Sequence, residues 1–286
     1  MTRLAYLGTP EAAVPPLRAL VAAGHDVALV VSRPDRRRAR GSATSPSPVK
    51  QAATELGIDV TDDLAAVSGA GVELGVVVAY GRIVPADLLA AVPMVNIHFS
   101  LLPRWRGAAP VERAILAGDA VTGVSLMALE AGLDTGPVYV SNEVPIAHTE
   151  TAEALRGRLV GLGSALIVDL LSGPLPEPRP QEGEATYAEK VTPADLELRW
   201  DRPADELSRV VRVGRAWTTF RGRRLGVLAA EVSDETSKAA AGTMVGDAVV
   251  AGLGSLRLLR VQPEGGRPMD AADWRRGARI TDGERL

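Results

Sequence analysis

An open α/β sheet followed by a small β-rich domain is the architecture that this 286-residue sequence predicts. Three observations carry it. Short, wholly apolar runs alternate with helical patterns through the first half, as in a parallel sheet covered on both faces. A proline- and glutamate-rich stretch, "PLPEPRPQEGEA", then breaks the composition over residues 174–185. Beyond Lys190 the runs are β-rich and parted by glycine turns. The predicted domains are therefore 1–185, with its linker at 174–185, and 190–286.

The elements follow in order. "RLAYL" reads as a strand, and "VPPLRALVAAG" as a helix with prolines near its first turn and Gly24 past its end. "DVALVVS" is a second buried strand. Ser47 caps a helix, "PVKQAATEL", that has Pro48 at its first position and Gly57 as its stop. "LGVVVAYG" and "MVNIH" are further buried strands on either side of the helical "PADLLAAV". After "APVERAILAGD" come two strand-like runs, "TGVSLMAL" and "GPVYVSNEVPI", and the long helix "TAEALRGRLVGLGSALIVDLLSG". In the second domain a helical "PADELSRVVRVG" precedes "RLGVLAAEV", "AVVAG" and "SLRLLRVQ".

Composition narrows the chemistry. The 46% hydrophobic and 23% charged content is that of a soluble globular protein. The lack of cysteine excludes disulfides, zinc–thiolate sites and thiol catalysis. Gly8, Pro10 and Glu11 interrupt the first apolar run, so no secretory signal is read and a cytoplasmic location is expected. A net charge of −3 argues against wholesale coating of nucleic acid. Locally, "RPDRRRARG" places Arg33, Arg36, Arg37, Arg38 and Arg40 together. Because arginine far outnumbers lysine throughout, such a cluster is also compatible with an ordinary solvated loop.

Three motifs bear on function. "LGTPEAA" at residues 7–13 has only the first glycine of a dinucleotide fingerprint, so NAD binding is set aside. Asn96 and His98 end an apolar strand and, being two apart, face one side of the sheet. Backbone groups could satisfy both; equally, ligands of open α/β sheets bind at the carboxyl ends of strands. In "GLDTG", residues 132–136, Asp134 sits between glycines, as in a common turn or in a loop that aims a carboxylate. An amide that donates to an oxyanion, an imidazole that moves a proton and a carboxylate that orients it would together suit acyl-type transfer. No two histidines have ligand spacing, so no metal is expected.

The stretch "NIHFSLLPRWRGAAP", residues 96–110, together with "GLDTG", closely resembles the signature of the folate-dependent formyltransferases. "RPDRRRARGSATSPSPVK", "VVAYGRIVP" and "TYAEKVT" resemble the branch of that family that acts on tRNA. The likeness runs through roughly the first 200 residues; "GRAWTTF" at 214–220 and Phe99 depart from the family pattern. The resemblance implies a Rossmann-like formyltransferase domain and a C-terminal β-barrel of the OB kind. It implies transfer of the formyl group of 10-formyltetrahydrofolate to the α-amine of methionyl initiator tRNA, without a metal. Asn96, His98 and Asp134 would be catalytic. Ser100, Leu101, Leu102 and Pro103 would hold the folate, with Tyr80 and Gly81 near its pterin. Arg33, Arg36, Arg37, Arg38, Arg40 and Lys50 would contact the tRNA, and Arg221, Arg223 and Arg224 could extend that track. A monomer is expected. Alternatives are a formyltransferase for a small amine, which would not need the arginine loop or the extra domain, and an inactive RNA-binding relative.

Overall fold

Buried strands form where the sequence offers apolar side chains to both faces, Asn96 and His98 being polar exceptions. In the computed structural model, which describes residues 2–37, 44–233 and 237–286, β1 (Arg3–Gly8), β2 (Asp26–Val31), β3 (Val60–Thr61), β4 (Leu74–Val78) and β5 (Met94–His98) pair in parallel. Every residue of β4 and β5 is buried. Between the strands lie α1 (Val14–Ala22), α2 (Pro48–Glu55), α3 (Ala66–Gly69) and α4 (Ala86–Ala91). Ser47 caps α2 as expected, its Oγ accepting from the Lys50 amide at 3.0 Å.

The sheet is mixed, a departure from the expected all-parallel one. After α5 (Pro110–Ala117), β6 (Val121–Ala128) runs antiparallel to β5, and β7 (Val138–Pro145) antiparallel to β6. The short 129–137 connection permits only a hairpin, since a parallel crossover needs a dozen residues or more. The order is β7-β6-β5-β4-β1-β2-β3. The chain reverses its direction of travel across the sheet between β1 and β4, which makes their carboxyl ends the topological switch point where such sheets bind ligands.

The long helix α6 (Ala152–Leu170) lies directly on β5 and β6. A Cβ at Gly163 would fall 2.8 Å from Ile97 and 3.4 Å from Val124, so only glycine permits this approach. Gly161, two residues earlier, faces open space.

Residues 174–185, expected as a linker, are instead tied to the first sheet. Arg179 and Val138 exchange two backbone hydrogen bonds, at 2.7 and 2.9 Å. Further on, Tyr187–Ala188 pairs in parallel with Arg106–Gly107. Proline richness excludes regular structure here but not isolated bridges at a sheet edge.

Two compact units divide the chain: Met1–Val111, Val121–Pro145 and Ala154–Glu189 in one; Glu112–Ala120, Ile146–Glu153 and Lys190–Leu286 in the other. In the second unit, α7 (Ala204–Val213) precedes β8 (Ala216–Phe220), β9 (Arg223–Ser233), β10 (Met244–Val245), β11 (Ala248–Val250), β12 (Ser255–Pro263) and β13 (Met269–Asp270). These form one antiparallel sheet in the order β8-β9-β12-β11-β10, with β13 also on β12. Bulges between Val227 and Ala230 bend β9. The core gathers Leu207, Val211, Val227 and Leu258 around an edge-to-face pair, Phe220 and Trp274, at 5.1 Å. Trp274 belongs to α8 (Ala271–Ala278), a helix that the sequence reading missed because only Ala271 and Trp274 mark its buried face. The divergent "GRAWTTF" supplies β8.

Gly163→Leu should lower unfolding stability by about 1–3 kcal/mol through overpacking against β5. Gly161→Ala should raise it by up to about 1 kcal/mol through helix propensity. Urea unfolding of both variants beside the wild type checks the pair.

Candidate active site

Asn96 and His98 alternate with Ile97 along β5 and are only 8% and 5% exposed. His98 Nε2 lies 2.8 Å from the Trp105 carbonyl oxygen. A carbonyl can only accept, so Nε2 carries a proton. The other ring nitrogen, Nδ1, faces Asp134 Oδ2 at 3.6 Å. The three residues expected to be catalytic therefore split into one strand pair and one loop residue, and the structure brings His98 and Asp134 together.

Local constraints explain the aim of Asp134. Its φ of +52° is uncommon for a residue with a side chain. A Cβ at Gly136 would fall 1.9 Å from the Ala128 carbonyl oxygen, so the "GLDTG" loop closes against β6 only with glycine there. Asp134 Oδ2 accepts from the Gly107 amide at 2.8 Å. Gly107 itself has φ +124°, and a Cβ would approach the Ala188 carbonyl oxygen to 2.8 Å.

The loop after β5 is held from two sides. Toward the sheet, the Leu102 amide donates to Ser125 Oγ at 3.2 Å, and Ser125 Oγ donates to the Ser100 carbonyl at 2.8 Å. Ser100 Oγ donates to the Arg104 carbonyl at 2.6 Å, and the Leu102–Pro103 peptide is cis. From the other side, the Trp105 amide donates to Thr186 Oγ1 at 2.9 Å, and the Arg106 and Ala108 amides donate to the Thr186 and Ala188 carbonyls at 2.8 Å. Ser100 is thus a structural anchor of the loop, with Leu101, Leu102 and Pro103 half-buried beside it. Gln181 adds a third support. Its Oε1 accepts from Arg106 at 3.1 and 2.7 Å, and its Nε2 donates to the Asp134 and Gly136 carbonyls at 2.8 Å each. No motif in the sequence marks Ser125 or Gln181, while Gly107 and Thr186 lie inside "NIHFSLLPRWRGAAP" and "TYAEKVT", where no role attaches to either.

Tyr80 and Gly81 lie elsewhere, at the switch point. With Thr9, Arg33, Ser45 and Ser47 they line a cavity of about 460 Å³. Desolvation pushes the Tyr80 hydroxyl above the ordinary phenol range, while the charges of Arg82 and Arg33 pull it down. The pterin and tRNA expectations for Tyr80, Gly81 and Arg33 thus meet in a single space. Backbone pairing joins Arg36–Arg37 to Thr44–Ser45. Lys50 Nζ is paired with the Asp35 carboxylate at 2.9 Å. Arg38 and Arg40, and the side chains of Arg36 and Arg37, lie outside the described residues.

In the second unit, Arg221 forms an ion pair with Glu284 at 2.7 Å, and Arg223 is 3.5 Å from Glu264. The Thr281 backbone and Arg221 together hold the Glu284 carboxyl below its usual range. Arg224 instead stacks over the Trp217 ring at 4.4 Å. Among the described residues no group of three His, Asp or Glu side chains is arranged to hold a metal ion, and no helix is long and apolar enough to cross a membrane.

Two family models cover the chain: formyl transferase over residues 2–171, and the formyl transferase C-terminal domain over 190–279. Methionyl-tRNA formyltransferase of Jannaschia sp. (strain CCS1) is 43% identical over 298 residues, covering 98% of both chains. That of Streptomyces coelicolor is 43% identical over 308 residues, covering 99% of both. Among solved structures, an N-formyltransferase from Helicobacter canadensis, in complex with folinic acid and dTDP-3-aminofucose, matches with a TM-score of 0.70 at 16% identity, over 90% of this chain and 99% of that one. Methionyl-tRNA formyltransferase from Clostridium thermocellum matches with a TM-score of 0.61 at 18% identity, over 82% and 96%. The two structural likenesses speak for the fold, while the matches along nearly the whole sequence speak for descent. The chain belongs to the formyl transferase family, with the N-terminal and C-terminal domains of that family both represented.

Proposed function

We propose that this protein transfers the formyl group of 10-formyltetrahydrofolate to the α-amine of methionyl initiator tRNA in the cytoplasm, acting as a monomer. The observation that carries the chemistry is the His98–Asp134 pair at 3.6 Å beside the buried Asn96. Full-length likeness to two methionyl-tRNA formyltransferases supports the substrate.

The residues divide the work as follows. With Nε2–H engaged by the Trp105 carbonyl, Nδ1 is the His98 atom left to exchange protons. It takes the proton from the attacking amine as the new N–C bond forms, and the Asp134 carboxylate stabilises the resulting imidazolium. The same proton then goes to the departing folate nitrogen as its bond to the formyl carbon breaks. Asn96 donates a hydrogen bond to the oxygen that gains charge in between; one such donor is typically worth about 3 kcal/mol. Burial of Asn96 and His98, with the Asp134 side chain only 12% exposed, keeps these interactions largely out of bulk water, where they would be weaker.

The folate is assigned to the segment Leu101–Leu102–Pro103, which the buried Ser100 anchors. The cavity shared by Tyr80, Gly81 and Arg33 is assigned to the acceptor end of the tRNA, because a guanidinium and the hydroxyls of Ser45 and Ser47 suit phosphate and ribose better than a pterin. Arg36, Arg37, Arg38 and Arg40 continue that contact. Lys50 contributes by ordering Asp35 and the start of α2. Of the three arginines at 221–224, Arg224, stacked on Trp217 and with no carboxylate partner like those of Arg221 and Arg223 among the described residues, is the one best suited to a phosphate.

Labelled formyl transfer from 10-formyltetrahydrofolate should give product on charged Met-tRNA and none on free small amines. Formylation of small amines without tRNA dependence would keep the chemistry and discard the partner. Asn96→Ala should lower kcat by about 10²–10³-fold, and His98→Ala at least as much, in single-turnover assays. An Arg36/Arg37/Arg38→Ala variant should weaken tRNA binding and flatten its salt dependence by about 0.9 per lost phosphate contact. Arg224→Ala should flatten it in the same way and Arg221→Ala should not, as binding titrations between low and moderate salt would read.

A further inference from the structure

The segment expected as a linker carries a side chain whose hydrogen-bonding capacity is directed at the catalytic loop. Gln181 offers one amide oxygen and one amide nitrogen, and both are used twice. Its oxygen accepts from Arg106 Nε and Nη2, and its nitrogen donates to the carbonyls of Asp134 and Gly136, all four contacts lying between 2.7 and 3.1 Å. The amide cannot be turned over, because that would set its NH2 against a guanidinium. Its two acceptors flank Thr135, so they fix the peptide planes on which the direction of the Asp134 side chain depends. That support matters because Asp134 holds a left-handed φ of +52°, a conformation that persists only when its surroundings over-determine it. On the other side, Arg106 immediately precedes Gly107, whose amide holds Asp134 Oδ2 at 2.8 Å. One side chain therefore grips both halves of the clamp that sets the carboxylate against His98.

We infer that Gln181 is a positioning residue for formyl transfer, acting through Asp134. The inference rests on the reading of His98 and Asp134 as the proton-exchanging pair. Gln181 is half-buried, so water can replace its hydrogen bonds, and its loss should disturb the angle of Asp134 more than the stability of the fold.

Two variants separate the contacts. Gln181→Met keeps the length and removes every hydrogen bond. Gln181→Glu keeps an acceptor for Arg106 and removes both donations to the loop carbonyls. Each should lower kcat on the order of 10–100-fold with KM for both substrates little changed and with thermal unfolding near that of the wild type. The chain has only three histidines, so ring-nitrogen NMR of a histidine-labelled sample resolves His98 from His25 and His148. The His98 Nδ1 signal should move in both variants while the other two histidines stay in place. Wild-type kcat in Gln181→Met, or an unmoved His98 signal, would overturn the inference. So would full activity in Gln181→Glu alone, since the carbonyl contacts would then be idle. Asp134→Asn runs beside them. If it is inactive and Gln181→Met is not, only the role of Gln181 fails; if it is fully active, the pair itself is misassigned and the inference falls with it.

Discussion

The hydrogen bond from the Gly107 amide to Asp134 Oδ2 joins the two loops that frame the candidate site. One loop follows β5 and carries the groups that hold His98 through the Trp105 carbonyl. The other follows β6 and carries Asp134. Apart from the Arg106–Gly107 pairing with Tyr187–Ala188, neither loop has regular structure, so their relative position depends on what packs outside them. That outer support is the ladder between residues 186–188 and 105–109, and the close approach of Gly107 to Ala188. Any side chain at 107 would part the ladder and withdraw the amide from the carboxylate.

The same segment accounts for two unfavourable conformations. Trp105 and Asp134 both hold positive φ, at +62° and +52°. Each costs about 1–3 kcal/mol in isolation. They sit one on each loop, and hydrogen bonds from the 181–188 segment secure both: Thr186 takes the Trp105 amide, and Gln181 takes the Asp134 carbonyl. Local strain is thus offset by contacts from residues distant in the chain, which favours one geometry over a spread of loop conformers. The hairpin of β6 and β7 has a matching role on the inner side, since it supplies Ser125, which hydrogen-bonds on both sides of Leu101, and Gly136, which closes on Ala128.

Arginine content alone was a poor guide to the charged surface. Of the three arginines around the turn at 221–224, two are engaged by Glu284 and Glu264, and one lies on an indole face. Lys50 is engaged by Asp35. Formal charge counts all of these alike, whereas availability to a phosphate depends on which carboxylates the fold brings beside each one.

The sequence by itself determined six of the seven strands of the first sheet, the Ser47 cap and the identity of the motif residues, because each follows from local information: burial period, capping chemistry, short-range spacing; the two-residue β3, Val60–Thr61, is too short to leave such a period. "MVNIH" became β5 with its boundaries as read, and Asn96 and His98 share a face because a strand alternates. The antiparallel edge, the helix α8 and the docked course of residues 174–188 were decided by tertiary structure. Proline and glutamate in that last segment do signal the absence of helix and strand, but nothing in composition tells whether an irregular chain is free or held. Holding it takes partners about fifty to eighty residues away, Asp134 and Gly136 for Gln181 and Trp105 for Thr186, and such pairings leave no periodicity in a single sequence to be read.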